Sequence, residues 1–243
     1  MVKICEKISL RKIGRVFQSG LCATFIFVVL IGNSVYSQSS ASTTFQFVPL
    51  YKKHPLQLES SGDSLKISTL IFYISNINFL LDNKVVYTEP NSFHLIDASL
   101  PESMLISLTG DKLIDYKAIQ FQLGIDSITN VAGAMGGDLD PTKGMYWTWQ
   151  SGYINFKLEG TSAVCPARNN EFQFHLGGYQ APFNTLQTIQ LKAVPQQKIF
   201  IYFEVDKFFN EIELTKHYQV MSPSNQAVAF SKIIADCFYT KLQ

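Results

Sequence analysis

The chain has 243 residues, 47% hydrophobic and 13% aromatic, with 20 Lys and Arg against 19 Asp and Glu for a formal charge of +1. Five of those basic groups and one acidic group lie before residue 38, so the remainder carries 15 against 18, a net of −3. With no long basic patch left, the charge argues against a nucleic-acid partner, and about 200 residues can bury a core without staples.

Lys3, Lys7, Arg11, Lys12 and Arg15 form a basic start, Leu21 to Ile31 is apolar, and Val35-Tyr36-Ser37 suits a cleavage site before Gln38. This is the pattern of a secretory signal peptide over residues 1–37, which makes 38–243 an exported β domain in the periplasm or outside the cell. The apolar run is shorter than the roughly 20 residues of a spanning helix, so no membrane span is expected after cleavage. Leu21 stands where a lipidation site at Cys22 would want a small residue.

Gln38 to Thr44 reads as a short flexible leader. Thr44 to Leu50 alternates as a strand with Phe45 and Phe47 on one face. Lys66 to Leu81 is a long β-branched and aromatic run, and Ser75-Asn76 within it suggests a bend or bulge. Short strands follow at Lys84 to Tyr87, Ser92 to Ile96 and Met104 to Leu108. Tyr116 to Ile125 alternates cleanly, with Ile119, Phe121 and Leu123 opposite Gln120 and Gln122. Asp126 to Lys143 shows no period and reads as a loop of functional length. Tyr153 to Leu158, Phe172 to His175, Thr188 to Val194 and Lys198 to Val205 complete the strands. Asp206 to Glu211 reads as a helical turn, and Ser224 to Tyr239 as a helix capped by Ser222 or Ser224. The expected fold is mainly β, an antiparallel sandwich or barrel-like single domain with a C-terminal helix.

The most unusual residues are Trp147 and Trp149, both tryptophans of the chain. If extended, that segment puts both rings on one face, either as a core anchor or as a built site. No local metal motif accompanies them, so any metal site is assembled from distant strands. His94 and His175 are the candidate ligands, each inside an aromatic strand, with a structural histidine as the alternative. Met145 offers a thioether that would suit copper or simply pack. Asp126, Asp138 and Asp140 could bind calcium through oxygens, but without the spacing of a calcium loop. Cys165 and Cys237 form either one disulfide or two separate buried thiols. No nucleophile motif or carboxylate pair supports a hydrolase, and the chain is not expected to be an enzyme.

Several blocks occur in order: Phe72-Tyr73-Ile74-Ser75-Asn76-Ile77, Phe93-His94-Leu95-Ile96-Asp97-Ala98, Phe121-Gln122-Leu123-Gly124-Ile125-Asp126-Ser127, Asn130, Leu139-Asp140-Pro141, Gly144 to Tyr153, Lys157-Leu158-Glu159-Gly160 and His175-Leu176-Gly177-Gly178. Together they resemble the MbnP family, exported copper-binding proteins associated with methanobactin operons. The resemblance runs from Phe45 to Asp236. It implies a β-rich periplasmic or secreted protein, with copper as cofactor at a site that combines histidine with a tryptophan oxidised to kynurenine. It also implies a di-haem oxidase of the MbnH/MauG kind as the partner that performs the oxidation. The metal-site residues it points to are His94, His175, Trp149 and Trp147, with either tryptophan as the modified one, and Met145 joins them as a candidate on the chemistry of its thioether. Two other readings stand beside it: a metal-free interaction module with an aromatic face for sugar or peptide, and a calcium-stabilised sandwich.

Overall fold

A computed structural model describes residues 42–60, 64–109 and 115–242. The segment read as a signal peptide, 1–37, lies outside the described residues. In chain order the elements are β1 (Ser42–Tyr51), β2 (His54–Pro55), β3 (Leu65–Leu81), β4 (Lys84–Thr88), β5 (Phe93–Asp97), β6 (Leu105–Thr109), β7 (Ala118–Leu123) and α1 (Ser127–Ala132). Then follow β8 (Tyr146–Trp147), β9 (Gly152–Ser162), β10 (Glu171–Gly177), β11 (Gln187–Lys192), β12 (Lys198–Glu204), α2 (Val205–Glu211), β13 (Gln219–Val220), α3 (Asn225–Ala235) and β14 (Phe238–Thr240).

Two sheets form a sandwich-like fold. One has five strands in the order β14-β12-β1-β2, with β6 also on β1; the other has nine, along β11-β7-β3-β9-β10-β13, with β4 and β5 on β3 and β8 on β9. The sheets are mixed, whereas an antiparallel fold was expected: β1 runs parallel to β12, and β10 to β13. Of the stretch 38–44 read as a leader, Ser42, Thr43 and Thr44 already belong to β1 and pair with β6, and the residues before them lie outside the described ones.

Between the sheets lies a core rich in phenylalanine. Phe47 of β1 meets Phe72 at 5.9 Å and Phe121 at 6.0 Å, and Phe203 of β12 meets Phe156 at 5.6 Å, all edge to face. That geometry suits the ring quadrupole, and each fully buried ring contributes about 1.5–3 kcal/mol. The C-terminal helix covers one end of this core through Ala227, Phe230 and Ile234, and Ser224 caps it by accepting from Ala227 N at 3.1 Å.

The long strand β3 sets the register. Leu70, Phe72 and Ile74 face the core. The bulge between Ser75 and Asn78, where Asn76 adopts φ 50°, resets the alternation so that Ile77 and Phe79 face it too. At Ile71 and Phe72, β3 pairs with both β5 and β9; at Ile74 and Ser75 it pairs with both β5 and β7. A strand has two edges, so β7 and β9 share the edge opposite β5 and part company at Tyr73. The candidate site grows from that parting.

Cys165 and Cys237 are free and buried, so the disulfide between them does not form. Each thiol is satisfied locally instead, Cys165 by Glu171 O at 2.9 Å and Cys237 by Ile233 O at 3.2 Å. Burial pushes the Cys237 thiol up to about 12, which keeps it an inert packing group. Among the described residues no helix is long and apolar enough to cross a membrane.

Candidate functional site

Where β7 leaves the sheet, Gly124 takes φ 111°, and a Cβ there would lie 2.3 Å from Asn155 Cγ. Asn155 fills the split: its Oδ1 accepts from Ile125 N at 2.9 Å and its Nδ2 donates to Thr185 Oγ1 at 2.9 Å. Ser75 Oγ donates to Gly124 O at 2.7 Å. The next residues form α1, which the sequence did not announce. Asp126 caps it by accepting from Thr129 N at 2.8 Å. Asn130 donates to Ile125 O and Asp126 O and accepts from Tyr153 N at 2.8 Å, tying the helix to β9.

The rest of the patternless segment is held the same way, side chain to backbone. Tyr153 Oη accepts from Met135 N at 3.0 Å and reaches Leu139 O at 3.1 Å, and Tyr73 Oη donates to Asp138 O at 3.0 Å. Burial raises the pKa of both phenols, so they stay protonated and donating. The loop acids are occupied as well. Asp138 pairs with Lys143 Nζ at 2.7 Å and accepts from Leu95 N at 3.1 Å, and Asp140 accepts from Thr142 N at 2.8 Å. These carboxylates cap and brace the loop, which leaves the calcium reading without support.

This loop covers the outer face of the nine-stranded sheet and forms a second, smaller cluster with Tyr73, Ile125, Leu139, Met145, Trp147, Tyr153 and Ile154. Met145 is fully buried there, and its carbonyl accepts from Ile154 N at 2.9 Å. Tyr146 lies edge to face on Tyr153 at 4.9 Å. The extended segment ends at Trp147, because residues 148–151 turn and Ser151 adopts φ 52°. The tryptophans therefore meet across a turn and not along a strand, with rings 5.6 Å apart and tilted 43°. Trp147 is 7% exposed and Trp149 65%.

Trp147 lies over Gly177 of β10: a Cβ on that glycine would come within 2.6 Å of the indole. His175 sits two residues earlier on the same outer face, about 7 Å along the strand. Its Nε2 is 2.6 Å from Glu159 Oε1, with the two side chains 9% and 25% exposed. That hydrogen bond, with help from Thr69, holds the Glu159 carboxyl below its ordinary range against the opposing effect of burial. Lys157, opposite His175 in the register, donates to Gly144 O at 3.1 Å and anchors the start of the Trp segment.

His94 is not part of this group. The pairs His175–Lys157, Lys157–Ile71 and Ile71–Asp97 put three strand spacings, about 14 Å, between β10 and β5. His94 is three residues before Asp97, so it points to the opposite face, where its Nε2 meets Glu89 Oε2 at 2.8 Å. Of the residues expected to hold a metal, the structure seats Trp147 over Gly177, two residues from His175 on the same strand, with Trp149 against Trp147; it buries Met145 in the adjoining cluster and leaves His94 apart. Glu159 was missed, because only the β9–β10 register puts it beside His175. Among the described residues no group of three or more His, Cys, Asp or Glu is gathered that could hold a metal ion. One imidazole and one carboxylate fall short of a full copper site, and an intact indole adds a donor N–H but no ligand.

The family model MbnP matches residues 40–222. Among solved structures, MbnP from Methylosinus trichosporium is similar with a TM-score of 0.57 and 13% sequence identity, covering 78% of this chain and 87% of that chain. At that identity the likeness is one of fold. None of the curated proteins matches. The family match spans both sheets, the loop between β7 and β9 and the Trp segment, so the chain belongs to the MbnP family.

Proposed function

We propose that this chain is an exported, non-catalytic copper-binding protein whose site lies on the outer face of the nine-stranded sheet, at His175, Glu159 and Trp147. The observation that carries the reading is the seat of Trp147 over Gly177, beside the enclosed His175–Glu159 pair. The donor set is incomplete with intact indole. Oxidation of Trp147 to kynurenine, with a di-haem oxidase as partner, supplies an aromatic amine and a carbonyl at that position. Trp149, more exposed and 5.6 Å away, is the ring an oxidising partner meets first. Met145 supports the site as packing, and His94 takes no part. Copper quantification and peptide mass spectrometry on protein from its native host test the reading. A gain of about 4 Da on Trp147 together with one bound copper supports it. Unmodified tryptophans and no copper overturn it.

The exposure of Trp149 favours a second reading, a metal-free aromatic face that stacks a sugar or peptide. In that case indole fluorescence responds to such a ligand and not to copper.

A further inference from the structure

Beside the Trp turn, an open depression of about 280 Å³ is lined by Gln150, Tyr179, Gln180, Pro182, Phe183 and Pro223. Its main wall is the loop from Gly178 to Thr185, and that wall is fixed. Thr185 closes the loop with two bonds, from its N and its Oγ1, to Gly178 O at 3.0 and 3.2 Å. Phe183 N donates to Gln180 O at 2.8 Å, and Ser127 Oγ of α1 donates to Tyr179 O at 2.6 Å. Two glycines permit the close packing. A Cβ on Gly178 (φ 129°) would lie 2.2 Å from Phe183 O, and one on Gly152 would lie 3.1 Å from the Tyr179 ring. The walls are thus positioned before any ligand arrives, which lowers the ordering cost of binding.

The chemistry of the lining is specific. No carboxylate, ammonium or guanidinium group is among its residues. It offers aromatic and proline surface together with two carboxamides, each able to donate and accept. The aromatic surface comes from Tyr179 and Phe183, both partly exposed. A neutral ligand with one apolar C–H face and paired hydroxyls satisfies all of these groups, whereas a charged ligand finds no counter-charge. We infer that this depression binds a neutral sugar unit of an oligosaccharide, its C–H face on the aromatic rings and its hydroxyls on Gln150 and Gln180. The volume is near the lower end of small-ligand pockets and suits one ring better than a peptide segment. The inference does not depend on copper.

The test is calorimetric titration of the full chain with cellotetraose, chitotetraose and maltotetraose, alongside tryptophan fluorescence and a polyproline peptide as competitor. The expected result is saturable one-to-one binding of at least one tetrasaccharide. Gln150→Ala and Gln180→Ala should each weaken it about five- to tenfold, as loss of one hydrogen-bonding group does. Gln180 is exposed, so Gln180→Ala is expected to fold with the parent's secondary structure and melting temperature. Absence of binding to all three sugars overturns the inference, as does binding indifferent to both variants or displaced by the polyproline peptide.

Discussion

The nine-stranded sheet has two faces that are held by different physics. Its inner face is mainly phenylalanine and isoleucine packed against the five-stranded sheet, with ring-on-ring contacts and few polar groups. Its outer face is tyrosine, tryptophan and methionine under a loop whose backbone is tied down by Asn130, Tyr153, Tyr73 and Asp138. The inner face holds the larger of the two buried apolar clusters. The outer face uses some of its polar groups to hold a histidine, a carboxylate and two indoles in fixed relation.

Substitutions separate the two faces. Phe72→Ala removes a ring that touches Phe47, Phe156, Phe203 and Phe238, and is expected to cost about 3–5 kcal/mol in denaturant unfolding. A loss below 1 kcal/mol would mean that the inner face is not the source of stability. Asn155→Ala leaves Ile125 N–H without its acceptor and removes the donor to the Thr185 hydroxyl, which keeps Gly178 O, at about 1–3 kcal/mol. Its effect should concentrate in faster hydrogen exchange of 124–135 and 178–185, while inner-strand amides keep their protection. Gly177→Ala brings a Cβ within 2.6 Å of both the Trp147 ring and the Tyr153 carbonyl, so ring and strand must both give way; a shift in indole emission is expected, with a stability loss of about 1–3 kcal/mol.

Smaller still is the acid dependence. Glu159 has a folded pKa below its ordinary 4.5, so its stabilising contribution is full above that value and is lost as pH falls through the depressed folded pKa. Glu159→Gln should flatten that acid limb of a stability–pH curve, and an unchanged limb would remove the His175–Glu159 bond from the account. The smallest effect expected is on copper in His94→Ala, which should match the parent because His94 sits on the other face with Glu89.

The inner face was legible in the sequence. Alternation in Tyr116 to Ile125 and in the strand around Phe156 needs no knowledge of partners, and the bulge at Ser75-Asn76 announced itself by its residues. The outer face was legible only as composition. Asp126 to Lys143 had no period because its order comes from side chains bonding distant backbone, such as Tyr153 to Met135 and Leu139. The shared position of the tryptophans was foreseen through strand alternation, but a turn brings the rings together, leaving one buried and one exposed. The separation of His94 from His175 and the partnership of His175 with Glu159 both depend on the registers of β5, β3, β9 and β10, which are non-local. The parallel pairing of β1 with β12 was hidden for the same reason.

The most direct test of the copper site is the copper stoichiometry of His175→Ala set against His94→Ala, each purified from the native host and checked for the parent's secondary structure. The account predicts one copper per chain in the parent and in His94→Ala, and loss of that copper in His175→Ala. Copper retained by His175→Ala, or lost from His94→Ala alone, would contradict it.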